Sequence, residues 1–258
     1  MLKLTEVKNP HIHIFGAGGT GGFALEYLSR LFANSDQRVT IEIYDGDEVE
    51  AKNLKSQNFI VDDITINKSD ALIKRLTQNI EEPPTYISHT EYITDSDELM
   101  ANIMMTTEDD ETVIMVSAVD NVATRRLINQ TISDLAGSVD VIALDSGNDN
   151  QGGQVVLYSN SPVENVDIMG NSTSVELQTM LQLYPEIDII VDDRDENPGI
   201  VTHCAEEAES KPQAMMANVR NGELLASIIY QVTQNEKIPY NVWTSSILTG
   251  STVGELRL

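Results

Sequence analysis

A glycine-rich segment near the start of the chain has the spacing of a phosphate-binding turn. Gly16, Gly18 and Gly21 fit the pattern G-x-G-x-x-G within GAGGTGG. Glycines at these positions permit a tight turn and let phosphate oxygens approach backbone N–H groups at a helix N-terminus. The β-rich run HIHIF (11–15) precedes the segment, and FALEYLSRLF, with the apolar spacing of an amphipathic helix, follows it. This context favours phosphate binding and leaves NAD, FAD and ATP open as ligands.

A second group of polar residues follows the next predicted strand. RVTIEIYD (38–45) alternates apolar and polar residues and ends at Asp45. A carboxylate at that strand end can accept hydrogen bonds from both hydroxyls of a ribose. Asp47, Asn53 and Gln57 lie close behind in DGDEVEAKNLKSQNF, so the segment carries more than the single acidic residue that is common in loops.

The elements that must position these residues alternate between strand and helix. Beyond the first strand–helix–strand unit, we predict a helix over 68–80, a buried strand over 112–120, a helix over 122–135 and a buried strand over 139–145. A short polar turn precedes the next strand, 152–159, which we therefore expect to be antiparallel. The pattern predicts a Rossmann-like, doubly wound, mostly parallel α/β sheet with antiparallel strands added in the C-terminal part.

We expect one domain over residues 1–258, in three parts. Residues 1–160 form the nucleotide-binding core. Residues 161–200 are polar, with a candidate helix over 175–183, and are expected to be a crossover or flexible connection. Residues 201–258 are expected to hold a long helix (214–234) and a late strand (240–248).

Charge and composition exclude several classes of partner. The chain has 41 acidic and 16 basic residues, a net charge of −25, which repels nucleic acid and anionic membranes. No stretch approaches the roughly 20 apolar residues of a membrane span, and the N-terminal segment lacks the apolar run of a signal peptide. We therefore expect a cytoplasmic protein with neither nucleic acid nor membrane as a partner.

Metal-binding patterns are sparse. The sequence has a single cysteine, Cys204, whereas an internal disulfide or a cysteine-rich zinc site needs at least two. His11 and His13 alternate within one strand, while His89 and His203 stand far apart in the sequence, so no histidine metal cluster and no zinc are expected.

Taken in order, the motifs resemble the ThiF/MoeB/HesA superfamily, adenylating enzymes that activate ubiquitin-like and sulfur-carrier proteins. The matching segments are GAGGTGG, DGDEVEAKNLKSQNF (family pattern D-x-D-x-V-x-x-x-N-L-x-R-Q), a following lysine and VDNVATR, spanning Ile12 to Arg126. A weaker match lies in LDSGNDNQGGQVVLY. The segment HCAEEAESKPQAMMANVRNGELLASIIYQV also resembles stand-alone ThiF-like proteins of plasmid-borne or mobile gene clusters.

The resemblance implies a site for ATP and Mg²⁺. The residues it assigns to the nucleotide are Gly16, Gly18, Gly19 and Gly21 at the phosphates, Asp45 at the ribose, Asp47 and Gln57 in the same segment, and Asn53 and Lys68 at the triphosphate. Asp120 would hold Mg²⁺. Attack of a carboxylate on the α-phosphate develops negative charge that Lys68 and a metal can stabilise. Without the resemblance, the sequence favours an exposed first-turn helix lysine for Lys68. Asp120 is the stronger candidate because it ends a buried strand at the carboxyl edge of the sheet, where ligands bind, and its alternative role is a helix cap.

Cys204 is the third candidate catalytic residue, because some members of the superfamily transfer the activated carrier to a cysteine. His203 beside it would lower the pKa of the thiol, whereas the acids of CAEEAE would raise it. The alternative is a small buried apolar side chain.

Two departures from the family pattern leave activity open. Ser56 stands where the pattern has arginine, and no arginine precedes Arg30 in this sequence. Arg125 and Arg126 are candidates to replace these arginines, but the sequence does not determine whether their side chains point toward the phosphates. Three hypotheses follow: a homodimeric ATP-dependent adenylyltransferase of the ThiF type acting on a ubiquitin-like carrier protein, a catalytically degenerate nucleotide-binding regulatory or scaffold protein, and an NAD-dependent oxidoreductase.

Overall fold

The computed structural model describes residues 1–148, 151–187 and 212–258. The strands are β1 (Leu2–Lys3), β2 (Pro10–Phe15), β3 (Thr40–Tyr44), β4 (Thr85–His89), β5 (Thr112–Ser117), β6 (Val141–Asn148), β7 (Gly152–Ser159), β8 (Val163–Val166), β9 (Ser172–Val175), β10 (Val242–Ser246) and β11 (Ser251–Glu255). The helices are α1 (Gly19–Leu31), α2 (Lys68–Asn79), α3 (Ser96–Thr106), α4 (Val122–Asp134), α5 (Met180–Leu183) and α6 (Pro212–Thr233). None of these helices is long and apolar enough to cross a membrane.

Eight strands form the main sheet, in the order β11-β10-β7-β6-β5-β2-β3-β4. The strands from β6 to β4 are parallel, whereas β7, β10 and β11 are added antiparallel beyond β6. The predicted Rossmann-like sheet with antiparallel C-terminal strands is therefore confirmed. The chain winds outward from β2 to β4 and then returns to β5 on the other side of β2. In open α/β sheets, ligands bind at the strand carboxyl ends beside such a reversal.

The core consists of apolar strands covered on both faces. Ile12 and Ile14 of β2 and Ile41 and Ile43 of β3 are fully buried. Near-continuous burial is typical of parallel strands with helices on both sides. On one face, α6 packs directly on α1, and a Cβ at Gly222 would lie 2.9 Å from the backbone nitrogen of Ala24. The close packing brings the C-terminal helix beside the glycine-rich turn.

The structure differs from the sequence prediction mainly between the motifs. The strand β4, the helix α3 and the edge strand β11 were not predicted. The candidate helix over 175–183 is wrong in extent: a helix begins only at Met180, and Ser172–Val175 is a strand. Strand β8 pairs with β1 on one side and with β9 on the other in a separate three-stranded sheet, so part of the expected 161–200 connection has regular structure. Residues 188–211 lie outside the described residues.

The turn between β2 and α1 brings three backbones into contact. Gly16 has a φ of +97°, and a Cβ there would lie 2.7 Å from the carbonyl oxygen of Ala118, just beyond β5. A Cβ at Gly21 would lie 1.8 Å from the carbonyl oxygen of Gly16. A side chain at either position would push α1 away from the strands, so glycine is required by close approach at both.

We predict that Gly21→Ala lowers the free energy of unfolding by about 2 kcal/mol or more, since a methyl group there forces backbone displacement. Gly147→Ala is the matched control, because a Cβ at Gly147 meets nothing within 4 Å. Urea unfolding of both variants measures the difference. Equal stability of the two variants would contradict the close approach at the turn.

Candidate nucleotide site

A cleft of about 290 Å³ opens at the carboxyl ends of the central strands. Its lining comes from the glycine-rich turn, the ends of β3, β5 and β6, and α6. The predicted residues in the lining are Gly16, Gly18, Gly19, Asp45, Asp47, Gln57, Lys68 and Asp120. The structure thus brings together residues from four separate motifs. Gly21 is not part of the cleft lining. It lies in the first turn of α1, against the carbonyl oxygen of Gly16.

Asp45 ties β3 to the turn. Its carboxylate accepts hydrogen bonds from the backbone nitrogens of Ala17 at 2.7 Å and Asp47 at 2.9 Å, one on each oxygen. Burial and the nearby charge of Asp47 raise the pKa of the Asp45 carboxyl, although Lys68 and the two N–H groups act against this. Each oxygen retains a further lone pair, so the carboxylate can still accept a ligand hydroxyl.

Lys68 is a buried cation and not an exposed helix lysine. Its side chain is 9% exposed, and Nζ lies 2.6 Å from Oδ2 of Asp47. Burial acts to lower the pKa of Lys68, but the carboxylates of Asp45, Asp47 and Asp120 outweigh it and raise that pKa, so the ammonium stays charged.

Asn67 fixes the start of α2 and with it the position of Lys68. Its side-chain oxygen accepts a hydrogen bond from the backbone nitrogen of Ser69 at 2.8 Å, as an N-cap does. Its amide nitrogen donates to the carbonyl of Asp45 at 2.8 Å. The helix that carries the lysine is therefore bonded to the strand end that carries the aspartate.

Tyr92, in the loop after β4, is a cleft residue that the sequence analysis missed. A Cβ at Gly46 would lie 2.6 Å from its ring, so the ring lies flat on a glycine. Its hydroxyl donates a hydrogen bond to Oδ1 of Asp47. Burial and this carboxylate raise the pKa of Tyr92, which keeps the hydroxyl protonated. No motif covers Tyr92, and the glycine at position 46 was the only signal for a ring packed there.

The loop after β3 separates two residues that the sequence analysis placed together. Gln57 lines the cleft, and its Oε1 is buried without a hydrogen-bond partner among the described residues. Asn53 is buried outside the cleft lining. Its side-chain oxygen accepts from the backbone nitrogen of Glu50 at 2.8 Å, and its carbonyl accepts from that of Gln57 at 2.9 Å. Asn53 therefore shapes the loop that presents Gln57.

Asp120 lies at the cleft rim beyond β5, and its side chain is exposed. The helix-capping role belongs to its neighbour: the side-chain oxygen of Asn121 accepts from the backbone nitrogen of Thr124 at 2.8 Å. The Asp120 carboxylate is thus left facing the cleft, where its charge also acts on Lys68.

Arg125 is not part of the cleft lining. Its guanidinium forms a buried ion pair with Asp145 and donates to the carbonyls of Val119 at 3.1 Å and Ser146 at 3.3 Å. These contacts connect α4 to the segment after β5 and to the carboxyl end of β6. Within the part of the chain that the structure describes, Lys68 is the one lysine or arginine in the cleft lining.

The C-terminal helix supplies a cleft residue that was also missed. Asn218 of α6 lies directly over Gly19, where a Cβ would be 2.0 Å from its side-chain nitrogen. That nitrogen donates to the carbonyl of Ser56 at 3.0 Å, and the side-chain oxygen accepts from Asn148 at 2.6 Å. The third candidate catalytic residue, Cys204, lies outside the described residues.

Comparison with protein families identifies the domain. The ThiF family model matches residues 2–160, more than half of the sequence. This chain belongs to the ThiF family. The ThiF match contains every cleft residue described above except Asn218, so α6 reaches the site from beyond the matched region. The comparison with curated proteins gave no match.

Solved structures share the fold of this ThiF-family chain at low identity. E. coli MccB with ATP has a TM-score of 0.59 and 19% identity, covering 98% of this chain and 66% of MccB. E. coli MccB with AMPCPP and MccA has a TM-score of 0.60 and 18% identity, covering 97% and 64%. PaaA has a TM-score of 0.59 and 19% identity, covering 98% and 66%. The chain therefore spans about two thirds of the length of these proteins.

A buried network of histidines and glutamate lies in the ThiF-family core, below the cleft. Glu42 of β3 accepts hydrogen bonds from His11 at 2.7 Å, His89 at 2.6 Å and the hydroxyl of Tyr44 at 2.8 Å. The sequence analysis weighed these histidines only as metal ligands and did not predict this hydrogen-bonded network. Alternate residues of a strand share a face, which puts His11 beside His13, and β4 brings His89 to the same face.

The network is held by hydrogen bonds and not by converging metal ligands. Donor atoms of His11, His13 and Glu42 lie within 4.8 Å of one another. The two imidazoles, however, are stacked with centroids 4.5 Å apart and planes 20° apart. Nitrogen lone pairs lie in the ring plane, so nearly parallel rings do not direct them to one ion.

Opposite shifts in pKa distribute charge within the network. Burial opposes protonation of His11, yet Glu42 and Glu111, one on each ring nitrogen, raise its pKa above the usual 6.5. Burial lowers the pKa of His13 to about 3, so this ring is neutral. Burial also disfavours the charge on Glu42, but its three donors lower its pKa and keep it ionised.

We predict that Glu42→Gln lowers the free energy of unfolding by about 3 kcal/mol, because it leaves buried partners unpaired. The matched control is Glu108→Gln, which removes a carboxylate from an exposed ion pair with Arg38 and should change stability little. Denaturant unfolding at neutral pH measures both. A Glu42→Gln protein as stable as the control would contradict the network.

The raised pKa of His11 predicts a pH dependence of stability. Above pH 6.5 the folded protein still holds the His11 proton while the unfolded chain has lost it. Its contribution is therefore present below pH 6.5 and is lost as the pH rises through the folded-state pKa. As the pH rises above 6.5, the free energy of unfolding should fall less steeply in His11→Gln than in the parent. Parallel curves would show that His11 carries no buried charge.

Proposed function

We propose that this chain is an ATP-dependent adenylyltransferase of the ThiF type, with Mg²⁺ as its metal. Its substrate would be the C-terminal carboxylate of a small ubiquitin-like or sulfur-carrier protein. The observation that carries the proposal is the charged Lys68, held by Asp47 within the cleft beside the glycine-rich turn. The family match and the ordered set of motifs support it.

The residues present fit a bound nucleotide triphosphate. The Gly18 and Gly19 backbone lines the cleft at the N-terminus of α1, where N–H groups and the helix dipole favour an anion. Gln57, whose buried Oε1 has no partner among the described residues, can accept a hydrogen bond there from a donor group of the nucleotide. Asp45 keeps lone pairs for a ribose. Asp120 offers an exposed carboxylate of the type that Mg²⁺ prefers.

The chemistry is displacement at the α-phosphate. The substrate carboxylate oxygen forms a bond to phosphorus, the bond to the bridging oxygen breaks, and pyrophosphate leaves with that electron pair. Negative charge grows on the transferring group and on the leaving group. The Lys68 ammonium stabilises that charge from a site with little water, where electrostatic interactions are strong. A bound Mg²⁺ supplies further charge stabilisation.

Two solved structures of the same fold support the choice of ligands. E. coli MccB is described with ATP, and also with AMPCPP together with MccA. Activation of a carrier protein requires a fold that binds both a nucleotide and a second molecule. We further propose a cytoplasmic homodimer, with the oligomeric state measurable by sedimentation. A thioester role for Cys204 remains a prediction.

A second candidate function is a nucleotide-binding regulatory or scaffold protein without catalysis. The observation that favours it is the internal ion pair of Arg125 with Asp145, which keeps this guanidinium from the phosphates. Ser56 likewise offers no charge at its position. Among the described residues, Lys68 is then the sole cation lining the cleft.

The test is pyrophosphate–ATP exchange with a panel of ubiquitin-like and sulfur-carrier proteins. The parent should exchange with a cognate carrier, and Lys68→Ala should be slower by about 10²- to 10³-fold, as when one charge-stabilising donor is lost. Lys74→Ala, exposed on the same helix, is the matched control and should keep parental activity.

Two results would count against the adenylyltransferase. Equal exchange by Lys68→Ala and Lys74→Ala would remove the lysine from the mechanism. Binding of Mg·ATP without exchange in the presence of every carrier would favour the scaffold function.

A further inference from the structure

Three carboxamide side chains meet beside the glycine-rich turn. Gln57 comes from the loop after β3, Asn148 from the end of β6 and Asn218 from α6, and all three line the cleft. Asn148 donates to Asn218 at 2.6 Å, and the position of a Cβ on Gly18 lies 3.8 Å from Nε2 of Gln57. We call these three residues the carboxamide group.

The position of Asn218 is set by the packing of α6. Asn221, one helical turn further, is fully buried and donates to the carbonyl of Gly147 at 3.0 Å and to Oγ of Ser146 at 3.3 Å. Its oxygen accepts from Ser245 at 3.1 Å. The helix is therefore bonded to β6 and β10. The first half of α6 reaches the turn at Gly19. Only glycine, which has no Cβ, leaves room for the Asn218 amide at that position.

The carboxamide group offers neutral donors in a cleft whose described lining has one lysine and no arginine. Each amide nitrogen carries two N–H groups, and the bonds to Asn218 and to the carbonyl of Ser56 use one each on Asn148 and Asn218. Asp45 lies at the end of β3, whereas the group lies across the turn, at β6 and α6. A nucleotide whose ribose binds Asp45 would have to extend across the turn for its terminal phosphates to reach these amides.

We propose that Asn218 and Asn148, with Gln57, bind the terminal phosphates of ATP, so that the C-terminal helix distinguishes a nucleoside triphosphate from a monophosphate. The inference rests on the proposed function, since it specifies part of the same site. The amides donate hydrogen bonds to phosphate oxygens at the end of the nucleotide that leaves as pyrophosphate. Selectivity for the triphosphate therefore depends on a helix beyond the residues matched by the ThiF family.

The experiment compares affinities for Mg·ATP and AMP by calorimetry in Asn218→Asp and Asn148→Asp. Each substitution keeps the side-chain size and replaces donors with a negative charge. The affinity for Mg·ATP should fall about tenfold or more, the size expected when a hydrogen bond to a charged group is lost. The affinity for AMP should change less than twofold. Asn148 is exposed, so that variant should fold even if Asn218→Asp does not.

Ser227→Asp is the matched control, because it adds the same charge at an exposed position of α6. It should leave both affinities unchanged. Equal losses for Mg·ATP and AMP, or unchanged Mg·ATP binding in the two asparagine variants, would overturn the inference. If the parent protein still binds Mg·ATP, the proposed function would stand in both cases. A parent protein that binds no Mg·ATP would refute the proposed function and this inference together.

Discussion

The contact of three backbone segments around Gly16 is the constraint on which the cleft depends. The carbonyl of Ala118 lies where a Gly16 side chain would be, and the carbonyl of Gly16 lies where a Gly21 side chain would be. Strands β2 and β5 and helix α1 can meet this closely only through residues without a Cβ. The approach turns the N-terminus of α1 toward the cleft and places the end of β5, with Asp120, on the opposite wall.

Charge in this cleft is balanced locally within a strongly acidic chain. Lys68 is surrounded by three carboxylates and is held in place by one of them, Asp47. A ligand that brings phosphates must compete with those acids for the lysine. The backbone N–H groups of α1 and the amides near Asn218 are further donors in the cleft lining. Tyr44 both lines the cleft and bonds to Glu42, so the buried histidine network forms the floor on which the site is built.

The sequence was most informative where local chemistry and periodicity coincide. The turn, the buried strands and the position of Asp45 follow from glycine spacing and apolar runs, and the order of motifs led to Lys68. Asn53 shows a limit of this reasoning, because its motif places it near the cleft while its hydrogen bonds turn it into the loop.

Contacts between distant segments could not be derived in this way. Tyr92 and Asn218 reach the cleft through tertiary packing, on a loop without a motif and on a helix far along the chain. The histidine network was missed because its members lie on three neighbouring strands whose order the sequence does not state. Register and sheet order, rather than composition, bring these residues together.

The most direct test of the account is the choice between Mg·ATP and NAD as ligands. Calorimetric titration of the purified chain with each, under the same conditions, requires neither a carrier protein nor a variant. The account predicts saturable binding of Mg·ATP at one site per chain and no comparable binding of NAD. Binding of NAD in preference to Mg·ATP would contradict the assignment of the cleft and favour an oxidoreductase.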